Sequence, residues 1–123
     1  MHRAKIEEAR RAGREWVVLE ERPRPGASDQ PGYRRLELHL PTGVAVLAEV
    51  RVADDGRPQY HTESFFLNRE TGAELACGSR RWNIGDFATI DELEAAVAAA
   101  KADVAERFSG MIAIYRRRQQ AGR

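Results

Sequence analysis

Few side chains in this sequence have the chemistry to serve as nucleophile, base or metal ligand: His2, His39, His61, Cys77 and the adjacent pair Asp54–Asp55. A thiol next to an imidazole would be a nucleophile with its base. Cys77-Gly78, however, sits in no local catalytic signature, and no spacing ties it to His39 or His61, so the thiol is expected to serve packing. Structural zinc requires four N or S ligands at compact spacing, and a chain with one Cys does not supply them. Asp54-Asp55-Gly56 lacks the D-x-[DN]-x-[DN]-G spacing of a calcium loop and reads as a hairpin turn. The nucleophile elbow G-x-S-x-G, the phosphate loop G-x-x-x-x-G-K-[ST], H-E-x-x-H and G-x-G-x-x-G are absent. The expectation is a non-enzyme without catalytic residues, metal or small-molecule cofactor. An enzyme would need a deep pocket gathering His39, His61, Cys77 or the Asp54–Asp55 pair.

Charge is the second kind of chemistry available. The formal net charge of +1 conceals a segregation: residues 1–24 carry seven Lys/Arg against five acids, and residues 109–123 carry four Arg and no acid. The stretch between them is net acidic. Arg10, Arg11 and Arg14 at one end, and Arg116, Arg117 and Arg118 at the other, would grip phosphates if the two terminal helices lie side by side. Against this, Glu7, Glu8 and Glu15 blunt the first cluster, and the second also suits the negative end of a helix dipole. Tyr33 and Tyr60, in the acidic stretch, make a poor platform for stacking bases.

The third candidate is apolar. In Phe65-Phe66-Leu67 adjacent strand residues point to opposite faces, so one Phe lies opposite the other. Leu47 falls on the face opposite Val44, Val46 and Val50, and Trp16 and Trp82 add large surfaces that need cover. A single long helix shields one face of a sheet. The other face is either covered by the N-terminal helix or left for a partner, with Leu47, Phe65, Phe66 and Trp82 as the contact residues.

The elements that position these groups follow from periodicity. Residues 3–14, rich in Ala, Glu and Arg, predict a helix ending at Gly13. Trp16-Val17-Val18-Leu19 predicts a short strand, and residues 22–32, with three prolines and two glycines, a loop. Leu36, Leu38 and Leu40 alternate with Arg35, Glu37 and His39, and after Pro41-Thr42-Gly43 the residues Val44, Val46, Ala48, Val50 and Val52 alternate with Ala45, Leu47, Glu49 and Arg51, which predicts a β-hairpin. Setting Leu40 opposite Val44 places Arg35 opposite Glu49. Tyr60–Leu67 predicts a further strand, Glu74–Ser79 a short edge strand, and Trp82, Gly85 and Asp86 a loop.

Thr89-Ile90-Asp91-Glu92 is a capping box opening a long helix. Its apolar stripe runs Ile90, Leu93, Val97, Ala100, Val104, Phe108, Met111, Tyr115, with Ser109-Gly110 as a point of kink or break. Unbroken, residues 89–118 would extend about 45 Å, further than so small a core. The fold expected is one α+β domain over 1–123. It has an N-terminal helix, an antiparallel meander of four to five strands and a long C-terminal helix on one face, with residues 116–123 a mobile basic tail.

With 42% hydrophobic and 32% charged residues and no apolar stretch of membrane-spanning length, the composition is that of a globular protein. A lone Cys and an N-terminus unlike a secretory signal suggest the cytoplasm. The function expected is a small accessory protein acting through protein–protein association, with a partner or as a homodimer. The alternative is a nucleic-acid-binding module using the Arg-rich termini. No membrane association is expected.

Overall fold

The computed structural model describes residues 2–122. Eight elements follow in order: α1 (His2–Arg11), β1 (Trp16–Arg22), β2 (Arg34–His39), β3 (Val44–Val52), β4 (Pro58–Phe66), β5 (Trp82–Phe87), α2 (Ile90–Arg107) and α3 (Ser109–Ala121). The strands form one antiparallel meander in the order β1-β2-β3-β4-β5. The α+β class and the helix–meander–helix plan match the sequence reading. No helix among the described residues is long and apolar enough to cross a membrane.

The register of the β2–β3 hairpin differs by one residue from the expected one. Arg34, not Arg35, faces Glu49, and Leu36 and Leu38 face Leu47 and Ala45. The cause is the turn. Gly43 N–H and Thr42 N–H both bond to the carbonyl of His39, so Leu40–Gly43 form a four-residue connection and Leu40 leaves the ladder. Gly43 adopts φ +82, and a Cβ there would stand 3.0 Å from the Leu67 carbonyl oxygen. Since side chains alternate, a slip of one moves the β2 leucines to the opposite face.

That slip gives each face its own core. On one face Ala45, Leu47, Phe65, Leu36 and Leu38 pack with Val17, Leu19 and Leu67, and α1 adds Ile6 and Ala9. On the other, Val50 and Tyr60 pack with Tyr33, Ala27 and Leu93, flanked by Ala48, Phe87, Ile90 and Val97. α1 is therefore a working cover, in spite of its thin apolar content. It approaches so closely that a Cβ on Gly72 would lie 3.1 Å from both His2 Cβ and Leu19 Cδ1.

The capping box forms as read: Thr89 Oγ1 accepts from Glu92 N–H at 3.2 Å, and the Glu92 carboxylate reaches back to Ala88 N–H. The long helix breaks at Phe108 (φ −117, ψ 31), next to Ser109-Gly110. The break resets the helical phase: Leu93, Ala100 and Val104 are buried in α2, whereas in α3 the buried pair is Ile112 and Tyr115. Met111, expected in the stripe, is exposed. Residues 116–121, expected as a tail, are helical. Glu74–Ser79 forms no strand beyond one bridge between Glu74 and Leu67, and the edge strand is Trp82–Phe87, expected as loop.

Candidate functional site

Leu47 and Phe65 are 3% and 6% exposed, inside the α1-side core. Of the two alternatives for this face, cover by the N-terminal helix or a partner, the structure takes the first for Leu47 and Phe65, which are core residues and not a contact surface. Phe66 and Trp82 are half-buried against each other, ring centroids 5.1 Å apart, and the Phe108 ring meets Phe66 edge-on at 5.9 Å. They anchor the helix break. The rest of the α1-side face is a charged lattice. Arg34 reaches Glu20 and Glu49, Arg51 pairs with Glu49, and Arg81 pairs with Glu63 while lying over the Phe65 ring. Burial opposes ionisation of Glu49, but the Arg51 hydrogen bond and the Arg51 and Arg34 charges outweigh it and hold the carboxyl below its ordinary range. A concavity of about 460 Å³ over this lattice is lined mainly by these paired charges.

The candidate reactive groups sit in separate settings. His39 is buried, its Nδ1 2.8 Å from Thr42 Oγ1 and its ring 4.5 Å from that of Trp16. Burial pushes its pKa down to about 4, Arg116 adding to the fall and Glu15 opposing it. His61 is buried with Nδ1 2.7 Å from an Asp86 carboxylate oxygen. Cys77 is exposed, which corrects the expectation that the thiol serves packing, and its Sγ donates to the Gly78 carbonyl oxygen. Asp54 and Asp55 lie at an exposed hairpin tip, where Asp55 accepts from the Arg57 N–H. Among the described residues no three His, Cys, Asp or Glu side chains are grouped to hold a metal ion.

A cavity of about 400 Å³ opens between α2 and the β1–β2 side of the sheet, with an apolar floor including Val46, Ala48, Leu93 and Val97. Except for Glu94, the charges lining it satisfy one another: Arg35 bonds Glu37 and reaches Glu21, Lys101 pairs with Glu37, and Tyr33 donates to Glu21 at 2.6 Å. Burial, followed by the Glu21 bond, raises the Tyr33 pKa to about 12.

A different arrangement forms where the chain's two ends meet. After the break at Phe108, α3 passes to the α1 side of the molecule, where Tyr115 joins the core containing Ile6 and Ala9. Two contacts clamp α3 to the residues following α1. Tyr115 Oη donates to the Arg14 carbonyl at 3.0 Å, and Arg116 forks onto Glu15 at 2.7 and 3.0 Å. The hydrogen bond from Arg116, with its charge, holds the Glu15 carboxyl below its ordinary range, and burial opposes it.

Beside this clamp runs a groove of about 300 Å³ lined by Arg10, Pro41, Arg69, Met111, Ile114, Tyr115, Arg118 and Gln119. Met111 and Ile114 are 41% and 43% exposed, two of the four large apolar side chains left open among the described residues. Arg10 Nη2 donates to the Arg69 carbonyl and Arg69 Nη1 to the Pro41 carbonyl, each at 2.8 Å.

The structure thus brings Arg10 and Arg118 from the two ends into one groove, although α1 and α3 do not pack side by side as the sequence reading required. It takes Arg116 out of the set by pairing it with Glu15, and adds Arg69, Met111 and Ile114, which the sequence reading did not select. Ile114 lay outside the predicted stripe, and the break at Ser109-Gly110, which brings Ile112 inward and leaves Met111 out, was the available signal for the exposed pair. Arg69 comes from a turn and carries no such signal. Comparison with protein-family models, curated proteins and solved structures returned no match to the chain.

Proposed function

We propose that this chain is a small non-enzymatic binding protein that acts through protein–protein association, and that the α1–α3 groove is its contact surface. One observation carries the reading: Met111 and Ile114 stand open together in one groove with Arg10, Arg69 and Arg118, whereas the other exposed large apolar side chains, Val52 and Ile84, lie outside that groove. Apolar anchors with an arginine rim have the composition of an interface centre. The scattered and self-bonded reactive groups support a non-catalytic role.

Affinity capture from the native host, with and without nuclease, tests this. The expected result is a nuclease-resistant protein partner held by the wild type and lost with Met111→Asp plus Ile114→Asp. Identical capture by that double variant refutes the groove as contact surface. Light scattering on the same pair of proteins covers self-association. A homodimer through the groove becomes a monomer in the variant.

The Arg-rich ends favour a second reading, nucleic-acid binding, because Arg10, Arg11, Arg14, Arg117 and Arg118 form no ion pair with a described carboxylate. It predicts affinity falling steeply with salt, at about −0.9 in the log–log slope for each phosphate neutralised on duplex DNA. Absence of a gel shift at low salt refutes it.

A further inference from the structure

The arginines of the molecule differ in how they are held. Arg34, Arg35, Arg51 and Arg81 each pair with at least one carboxylate. Arg10 and Arg69 are held by backbone carbonyls instead, in a relay from α1 through the Arg69 turn to the β2–β3 turn at Pro41. A carbonyl fixes a guanidinium without neutralising it. Each of the two keeps its full charge and unused N–H donors, and part of the side-chain entropy lost on binding is already spent in folding. Arg118 joins them across the groove with no carboxylate partner among the described residues.

Met111, Ile114 and Arg118 lie three and four residues apart along α3, so the apolar and basic parts of the groove share one helical face. The side chain standing behind them, Tyr115, is buried. The groove therefore offers apolar contact followed by anchored positive charge, and no exposed ring on which a base could stack.

Resting on the association reading, we infer that the groove's occupant is an acidic amphipathic segment of a partner protein. Its apolar side chains lie over Met111 and Ile114, and its carboxylates bond Arg10, Arg69 and Arg118. Charge complementarity selects an acidic peptide, and the apolar floor selects one with apolar residues at helical spacing.

The test uses the full chain and three fluorescein-labelled probes read by anisotropy. They are a 16-residue synthetic peptide with Leu at i, i+3, i+4 and i+7 and Glu between, the same peptide with Lys for Glu, and a 20-nucleotide single-stranded DNA. The expected result is binding of the Glu peptide at least tenfold tighter than the Lys peptide. The expected loss is about tenfold in Arg118→Ala, whose side chain holds no described hydrogen bond, and more in Arg10→Ala plus Arg69→Ala. Equal binding of the two peptides, or no peptide binding, overturns the inference. So does DNA binding in preference to the Glu peptide. If nuclease-resistant capture through Met111 and Ile114 persists in any of those cases, the association reading stands and only the partner's chemistry is wrong. If capture also survives Met111→Asp plus Ile114→Asp, the groove itself is refuted.

Discussion

Replacing Leu47 with Ala distinguishes a core position from a contact surface. The side chain is 3% exposed, faces Leu36 across β2 and Glu63 across β4, and belongs to the core to which α1 contributes Ile6 and Ala9. The substitution removes three carbon atoms, about 2.4 kcal/mol of transfer free energy at roughly 0.8 kcal/mol per methylene. A cavity term adds to that and takes measured Leu→Ala costs to about 3–5 kcal/mol in rigid surroundings. Leu47 borders the charged concavity, where water and the Arg51 and Arg81 side chains can fill part of the void. The expected cost is accordingly near the lower end, about 3 kcal/mol, read by urea unfolding followed by circular dichroism. A loss under about 1 kcal/mol, with the slope unchanged, would mean that the side chain is not packed within the monomer. The register that puts the β2 leucines on the α1 side would then be refuted.

Three further outcomes follow from local geometry. His39 is buried and its pKa is held down to about 4 from 6.5, so between those values the unfolded chain takes up a proton that the folded chain refuses. Its contribution is fully present above pH 6.5 and is lost as pH falls towards 4, by at most about 3 kcal/mol. Comparing pH–stability curves of the wild type and His39→Gln should show the variant flatter across that window, and parallel curves would disprove the assignment. Gly43→Ala should destabilise by more than about 1 kcal/mol, because the residue sits at φ +82 with the Leu67 carbonyl 3.0 Å from the new Cβ. An unchanged melting temperature would contradict the turn geometry. Thr89→Ala removes the acceptor of Glu92 N–H and should cost about 1 kcal/mol, with Thr89→Ser restoring most of it in the same unfolding assay.

The parts of the fold written in local periodicity were legible. Alternation marked β2, β3 and β4, the box at Thr89–Glu92 marked the start of α2, and Ser109-Gly110 marked the break. What local pattern does not encode is how neighbouring segments are placed. The hairpin register depended on whether Leu40 lies in the ladder or in the turn, and the His39 carbonyl decided it by taking two turn N–H groups. β5 was hidden because Trp82–Phe87 contains Gly85 and an Asn83 at φ +51, residues that read as loop. Its strand character comes from pairing with β4. The two-faced apolar pattern was read correctly in Phe65-Phe66. However, the decision between self-cover and open face turned on Ile6 and Ala9, the two buried side chains of a short and otherwise polar helix.

Of the candidate site, the meeting of the two Arg-rich ends could be posed from sequence as a condition. Which arginines remain unneutralised there is a tertiary property. Glu15 selects Arg116, and the carbonyls of Arg69 and Pro41 hold Arg10 and Arg69, across separations of 101, 59 and 28 residues.

The most direct measurement of the central claim is an amide-resolved NMR titration of the isotope-labelled chain with the Glu–Leu peptide. Shifts confined to residues around Arg10, Thr42, Arg69 and Met111–Gln119, with β3 and the α2–β1 cavity silent, are the result expected. Shifts centred on the sheet or on that cavity, or a spectrum that does not change at all, would contradict an association surface built where α1 and α3 converge.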